Sequence, residues 1–478
     1  MQHPPALPIP PAPILLTARL FAQAIQAIAR QQYAAAGPVH LIQGPLAERL
    51  AQTTAALAQR QPILGATLLH DGVLFNLDIL LPEGEHSWRL LACKASTGIK
   101  PQQQAQLALQ THLARQAGVP LLGAGILHVN SRWLYCTPED FQGLLQREDL
   151  SRQVWGQEAS VRQLLATAQA TLATEQAPPI ATGPQCQTPA PCDFLPHCQS
   201  EQPQAEFPAR WLPAISHKEL RQFLAARPGC DMREVPDTLL TPLQQRVKQH
   251  TLAGQVYFDA AGAAAALQPD GLPALFLDFE SIQFAVPPWL GTRPYQQIVF
   301  QFSLHRLDAD GQLSAQGFLD VSGGDPRAAF AEALLAACDG SGPIFVYNAG
   351  FEGARIGELA QAFPALSPRL LTLRARLVDL HPITRDHYYH PAQHGRWSIK
   401  AVLPVIAPDL SYQQLDGVQD GGMAMESYLE AIQPDTPAVR KAEIEQQLRD
   451  YCALDTLALV RLWRHLSGQS DTHLAPTT

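Results

Sequence analysis

Residues Leu275–Ser281 read LFLDFES, an apolar run with Asp278 and Glu280 in its middle. The wider stretch ALFLDFESI (274–282) predicts a β-strand. Side chains alternate across a strand, so Asp278 and Glu280 share one face and Phe276 extends it. Taken alone, an acid pair of this spacing reads as a solvated face, but apolar neighbours on both sides argue against that here. Two carboxylates on one face can share a divalent cation.

Two further acidic positions fall in order behind this pair. Glu352 lies in FVYNAGFEGARIGELA, where a β-rich run ends in Asn-Ala-Gly and a helix begins. Tyr451 and Asp455, in YCALD, are spaced i, i+4 on the helix predicted over KAEIEQQLRDYCALDTLALVRLWRHL, and so share a face. Singly, a Glu in a first helical turn complements the helix dipole, and a lone YxxxD is unremarkable. Together they make a series: an acid pair on a first strand, an acid at a strand-to-helix turn, an acid with a tyrosine on a last helix.

The elements around this series predict an α/β fold. Strands ALFLDFESI, QQIVFQFSLHRL and QGFLDV precede helix RAAFAEALLAAC, strand PIFVYN and the long last helix, a pattern for a mixed sheet flanked by helices over residues 271–470. Residues 201–270 carry helical patterns, SHKELRQFLAA and TPLQQRVKQHTLAG, and read as a helical connector. Residues 1–200 form an earlier α/β unit with helix LTARLFAQAIQAIARQQY and strands VLFNLDIL and SWRLLACKA. The stretch ATEQAPPIATGPQCQTPAP and three clustered cysteines close that unit.

The 478 residues allow several domains, and 46% hydrophobic with 16% charged residues is a globular composition. A net charge of -9 argues against a protein that coats nucleic acid nonspecifically. The N-terminal MQHPPALPIPPAPILL lacks a basic region and is broken by prolines, so it reads as a tail, not a signal peptide. No apolar run is long enough to span a membrane, and a cytoplasmic location is expected. Eight cysteines in so long a chain suit metal binding or burial better than a disulfide framework.

Residues 369–400 are locally basic: Arg369, Arg374, Arg376, Arg385, Arg396 and Lys400 stand against Asp379 and Asp386, with His381, His387, His390 and His394 among them. Tyr388, Tyr389 and Trp397 lie between these charges and are expected to stack bases of a single strand. The other reading is a surface loop of ordinary composition. Asp379, in RLVDLHP, is expected to support the fold.

LFLDFES, VYNAGFE and YCALD resemble, in order, the three motifs of the DEDD 3'-to-5' exonucleases of the DnaQ-like, ribonuclease H-like fold, in the subgroup with a tyrosine in its last motif. Residues 271–470, with GRWSIKAVLPVI and YNAGFE, are also similar to an uncharacterised bacterial domain-of-unknown-function family that carries this core. The resemblance implies two Mg²⁺ or Mn²⁺ ions about 4 Å apart, held by Asp278, Glu280, Glu352 and Asp455, with Tyr451 orienting the attacking water. The superfamily has aspartate where this chain has Glu352; the closer family tends to have glutamate there.

FNLDILLPEGEHSWRLLACKAST resembles the PD-(D/E)xK core of RecB-like nucleases, of restriction-endonuclease-like α/β fold, with Asp78 as its first acid, Lys94 as its lysine and Gln110 on the following helix. Cys93 stands where that core needs a carboxylate, and Gly65 where an upstream acid would be. A thiol is a poor ligand for a hard cation, so this domain is expected to be degenerate. Cys186, Cys192 and Cys198 resemble the cysteine trio that holds an iron-sulfur cluster in such nucleases. The distant fourth cysteine is absent, with a residue such as Gln26 in its place. A cluster, a zinc ion with His197 as fourth ligand, or loss of the site are the alternatives. The expected protein is a metal-dependent 3'-to-5' exonuclease acting on nucleic acid, with single-stranded 3' ends as substrate. The rival is a catalytically silent nucleic-acid-binding or scaffold protein built on nuclease folds.

Overall fold

The structure is a computed structural model that describes residues 13–175, 180, 182–188, 191–200, 205–268 and 270–469. Most of the expected N-terminal tail, and parts of the Pro-rich stretch before and between the cysteines, lie outside the described residues. The chain divides into two units, Met1–Ile180 with Gln283–Gln296, and Ala181–Ile282 with Gln297–Thr478.

The first unit is built on a six-stranded sheet of β1 (His40–Leu41), β2 (Ile63–His70), β3 (Val73–Glu83), β4 (Ser87–Lys94), β5 (Leu121–Val129) and β6 (Leu145–Asp149), in that order across the sheet. β2, β3 and β4 are an antiparallel meander, whereas β4 and β5 run parallel. A parallel pair needs a crossover, and the helix Pro101–Gln116 provides it. This helix packs Leu107 and Ala108 on one side of the sheet, while Ile25, Ile28 and Ala29 of the helix Pro13–Ala35 pack on the other. The expected pair of strands carrying Asp78 and Lys94 is therefore the β3–β4 hairpin.

In the second unit, β7 (Tyr257–Phe258) precedes β8 (Ala274–Ile282), β9 (Ile298–Leu307), β10 (Leu313–Leu319), β11 (Ile344–Val346), β12 (Leu377–Asp379) and β13 (Tyr388–Tyr389). Five of these form a mixed sheet in the order β10-β9-β8-β11-β12, while β7 pairs with β13. β8, β9 and β10 are antiparallel neighbours, and β8, β11 and β12 are parallel.

Alternation along β8 divides its side chains between two cores. Leu275, Leu277 and Phe279 pack against Phe330 and Leu334 of the helix Arg327–Ala337 and Ile356 of the helix Ala349–Ala362. Ala274 and Phe276 face Leu459 and Trp463 of the 30-residue helix Ala438–Ser467. Phe276 stacks on Phe345 at 5.3 Å between ring centroids and meets Trp463 edge-on at 6.1 Å. Residues read as a connector belong to this same core, through Met232, Val247 and Leu267. No helix among the described residues is long and apolar enough to cross a membrane.

Phe276 is fully buried in this stack. Phe276→Ala should lower the stability of the second unit by about 3–5 kcal/mol, read from its denaturant midpoint.

Candidate functional site

Because Asp278 and Glu280 follow Phe276 at two-residue steps, β8 turns both toward the face covered by the last helix. That helix supplies Asp455, which is 7% exposed. Asp278, Glu280 and Asp455 each bring a carboxylate oxygen into a group whose members lie within 4.8 Å of one another. Among the described residues this is the one such group of three or more His, Cys, Asp or Glu ligand atoms.

Charge confined this way in a dry space resists ionisation. Burial, then the charges of Asp455, Glu280 and Glu352, push Asp278 well above the usual carboxylate range. Burial and then Asp455 raise Glu280 to about 8, with Lys400 opposing. Burial raises Asp455 to about 6, against hydrogen bonds from Tyr412 and Tyr451 and the charge of Lys400. The Cys452 sulfur lies 3.9 Å from Asp278 Oδ2, and burial first, then these acids, hold its thiol up.

Glu352 reaches the site from the other side of the strand order. β11 ends at Val346, Asn348 follows at a left-handed φ of 102°, and the helix Ala349–Ala362 starts after it. Asp379, at the end of β12, accepts the backbone N–H groups of Asn348 at 3.1 Å and Ala349 at 3.0 Å, so it anchors this turn as expected of a fold-supporting residue. Glu352 is 3% exposed and its Oε2 has no hydrogen-bond partner. Burial lifts its carboxyl to about 7. Its charge acts on Asp278, but it stands outside the 4.8 Å group.

Tyr451 is buried on the same helical face as Asp455, as its spacing predicts. Sequence reasoning missed Tyr412, whose hydroxyl donates to Asp455 Oδ1 at 2.5 Å. Tyr412 sits in a short 3₁₀ turn between helices, where no periodicity or charge pattern marks it. Lys400, counted only as part of a basic segment, has its ammonium 5.0 Å from the ring centroids of both Tyr412 and Tyr451.

The rest of that segment departs from expectation. Tyr388, Tyr389 and Trp397 are core residues, at most 5% exposed, and cannot stack bases. Tyr389 bonds Thr251, and the Trp397 indole N–H donates to the Tyr388 carbonyl. An aromatic between charges can face inward when the charges face out, and short-range composition does not distinguish the two. Arg376 donates to the carbonyls of Gly342 and Cys338, Arg385 pairs with Asp386, and His387 with Asp259. His390 caps the turn Pro391–Gln393, His394 stacks on Trp211, and His381 packs against Tyr347. Arg369, Arg374 and Arg396 are exposed.

In the first unit Asp78 is occupied: it accepts the backbone N–H of Cys93 at 2.8 Å and the amide of Gln26 at 3.0 Å. Lys94 donates to Gln106, and Gln110 donates to the Asn76 carbonyl. Gly65, on β2, adopts a φ of +78°, a backbone state that an acid in its place would strain, and the Arg30 guanidinium lies 3.6 Å from where a Cβ would stand. Cys93 is a buried thiol whose pKa burial raises. Cys186, Cys192 and Cys198 are free thiols, and the structure does not gather them, or His197, into a ligand group.

A family model described as a domain of unknown function, DUF2779, matches residues 275–398. The match takes in Asp278, Glu280 and Glu352 and ends before Lys400, Tyr412, Tyr451 and Asp455. No curated protein and no solved structure matches this chain.

A carboxyl whose folded-state pKa is raised binds more protons folded than unfolded, so stability falls as pH rises toward that pKa. Glu280 at about 8 and Glu352 at about 7 place this loss up to pH 8. His305, held down to about 4 by burial, acts in the opposite sense but only below its ordinary 6.5. In chelator, the melting temperature should therefore fall between pH 6.5 and 8. Glu280→Gln should flatten that slope; an unchanged slope would contradict the assignment.

Proposed function

We propose that the second unit is a divalent-cation-dependent phosphodiester hydrolase that trims nucleic acid from its 3' end, on a ribonuclease H-like fold. The observation that carries this reading is the convergence of Asp278, Glu280 and Asp455 within 4.8 Å, on a strand and a helix both fixed by core packing. The sheet supports it: three antiparallel strands lead into two parallel ones, with the acids on the first strand, behind the fourth and on the last helix.

The donor set suits hard divalent cations. It is all oxygen, it is short of positive charge, and Glu352 adds a buried oxygen with no other partner. Asp278, Glu280, Asp455 and Glu352 would hold Mg²⁺ or Mn²⁺. Such ions, when bound, activate water and neutralise charge on the leaving oxygen.

The chain's own residues do the rest. Tyr451 is raised above an ordinary tyrosine by burial and by Asp455, so it keeps its proton and can orient a water only as a neutral hydrogen-bonding group. Tyr412 fixes Asp455 through its hydroxyl. The helix Ala438–Ser467 excludes solvent from one side of the acids by burying Tyr451, Cys452 and Asp455 together.

The first unit is proposed to be a degenerate RecB-like domain kept for binding or architecture. Asp78 is already satisfied by Cys93 and Gln26, and among the described residues it belongs to no group of three or more ligand atoms.

Single-stranded DNA and RNA labelled at either end, incubated with Mn²⁺, should be shortened from the 3' end by the wild type. Asp278→Asn should lose at least about a hundredfold in rate, and Lys94→Ala should lose nothing. Equal cleavage by wild type and Asp278→Asn, or none by either, would refute the hydrolase and favour a silent binding platform.

A further inference from the structure

A cavity of about 370 Å³ lies within the second unit at the start of β8, walled by Arg306, Arg376, Ser341, Gly342, Leu272 and Leu275 among others. It is separate from the carboxylate group, since Leu275 packs on the sheet face opposite to the one that Asp278 and Glu280 share. Two guanidinium groups reach it from separate elements, Arg306 near the end of β9 and Arg376 just before β12.

Arg306 Nη2 donates to the Asp339 carbonyl at 3.2 Å. Arg376 donates through Nε to the Gly342 carbonyl and through Nη1 to the Cys338 carbonyl, each at 2.7 Å. Cys338 and Asp339 follow directly on the helix Arg327–Ala337, whose C-terminal dipole favours a cation. One guanidinium would serve that end, and the second adds a like charge. Burial first, and then the charge of Arg306, hold Arg376 below the usual arginine value. Arg327, Arg355 and Arg461 of the same unit are each paired with a carboxylate, whereas among the described residues neither Arg306 nor Arg376 is. Two like charges that act on one another without a counter-ion repel, and an anion between them would offset that cost.

Donors remain for such an anion. A guanidinium carries five N–H groups in a planar fork. Among the described residues Arg306 keeps Nε and Nη1, and Arg376 keeps Nη2, without a hydrogen bond. The Ser341 hydroxyl and the backbone N–H groups of Ser341 and Gly342 are likewise unbonded among them. The wall also carries one carboxylate, that of Asp339, which is exposed and accepts the Gly340 N–H at 2.9 Å. Its charge opposes an anion, but two cations and the donors of the loop stand against it.

We propose that this cavity binds a small phosphate monoester, with its phosphate bridging Arg306 and Arg376 and its organic part lying over Leu272 and Pro343. A phosphate monoester carries nearly two negative charges and three acceptor oxygens, which matches two guanidinium forks. A carboxylate, or a phosphodiester of nucleic acid, brings a single charge. The volume exceeds what a bare phosphate ion needs and falls in the range of small-ligand sites. The site goes beyond the hydrolase reading and does not depend on it.

The test is calorimetric titration of the full chain with glycerol 3-phosphate, in chelator so that no divalent cation at the acids can hold phosphate. Wild type should bind it with a Kd of about 1 mM or tighter, and glycerol should not bind. Arg306→Gln and Arg376→Gln should each weaken binding by about tenfold or more, and Asp339→Asn should tighten it. Ser341→Trp, at an exposed position on the wall, should block the cavity, which keeps the proposal testable if an arginine variant fails to fold. No binding by wild type, or equal affinity in wild type, both arginine variants and Ser341→Trp, overturns the inference. Displacement of glycerol 3-phosphate by a single-stranded oligonucleotide without terminal phosphates, at equal phosphate concentration, overturns it too, since the arginines would then be a contact for nucleic acid. None of these outcomes touches the hydrolase reading, which stands or falls on cleavage.

Discussion

The repulsion among Asp278, Glu280 and Asp455 is the cost that the second unit must offset in order to fold. Two unit charges 4 Å apart interact by about 4 kcal/mol at an effective dielectric of 20, and these three oxygens lie within 4.8 Å of one another. Retained protons lower that cost: burial drives all three pKa values upward, and the neighbouring acids push Asp278 and Glu280 further. Packing supplies what remains. β8 is paired on both sides, by β9 and β11, and its alternate residues fill two separate cores. A one-residue slip would bury Asp278 among Leu334 and Ile356 and turn Leu277 to the face of the last helix, so the register cannot relax to move the acids apart.

Much of this was legible before any coordinates, and the reason is periodicity. ALFLDFESI matches β8 from end to end, and the predicted last helix lies within Ala438–Ser467, because long regular patterns leave little choice of element. The pairing of Tyr451 with Asp455 followed from the same regularity. Tyr412 was not legible, since it comes from a three-residue turn whose position depends on the helices around it. Tyr388, Tyr389 and Trp397 misled for a related reason: β13 and the turns after it are too short to declare an inward face, and pairing with β7 alone decides it.

The two units show how differently a buried acid can be treated. Asp78 sits among apolar neighbours as Asp278 does, and burial raises both. Around Asp78, however, a backbone N–H and a glutamine amide take up the carboxylate, and the charges that act on it, those of Lys94 and Arg30, are positive. That arrangement is complete in itself and stabilises the β3–β4 hairpin. Around Asp278 one backbone N–H, that of Phe279, and a thiol at 3.9 Å are outweighed by burial and the charges of three acids.

Glu352 and Asp379 make the same distinction within one turn. Asp379 accepts three backbone N–H groups, from Asn348, Ala349 and His381, and so is spent on holding the strand-to-helix turn. Glu352, one helical turn on, is 3% exposed and has an oxygen left over. A fold has no use for an unpaired buried oxygen, which costs about 1–3 kcal/mol wherever it is left. The turn needs Asp379 in order to exist, whereas nothing in the turn needs Glu352. On the hydrolase reading that oxygen would serve a ligand of positive charge, and the charge of Glu352 already acts on Asp278.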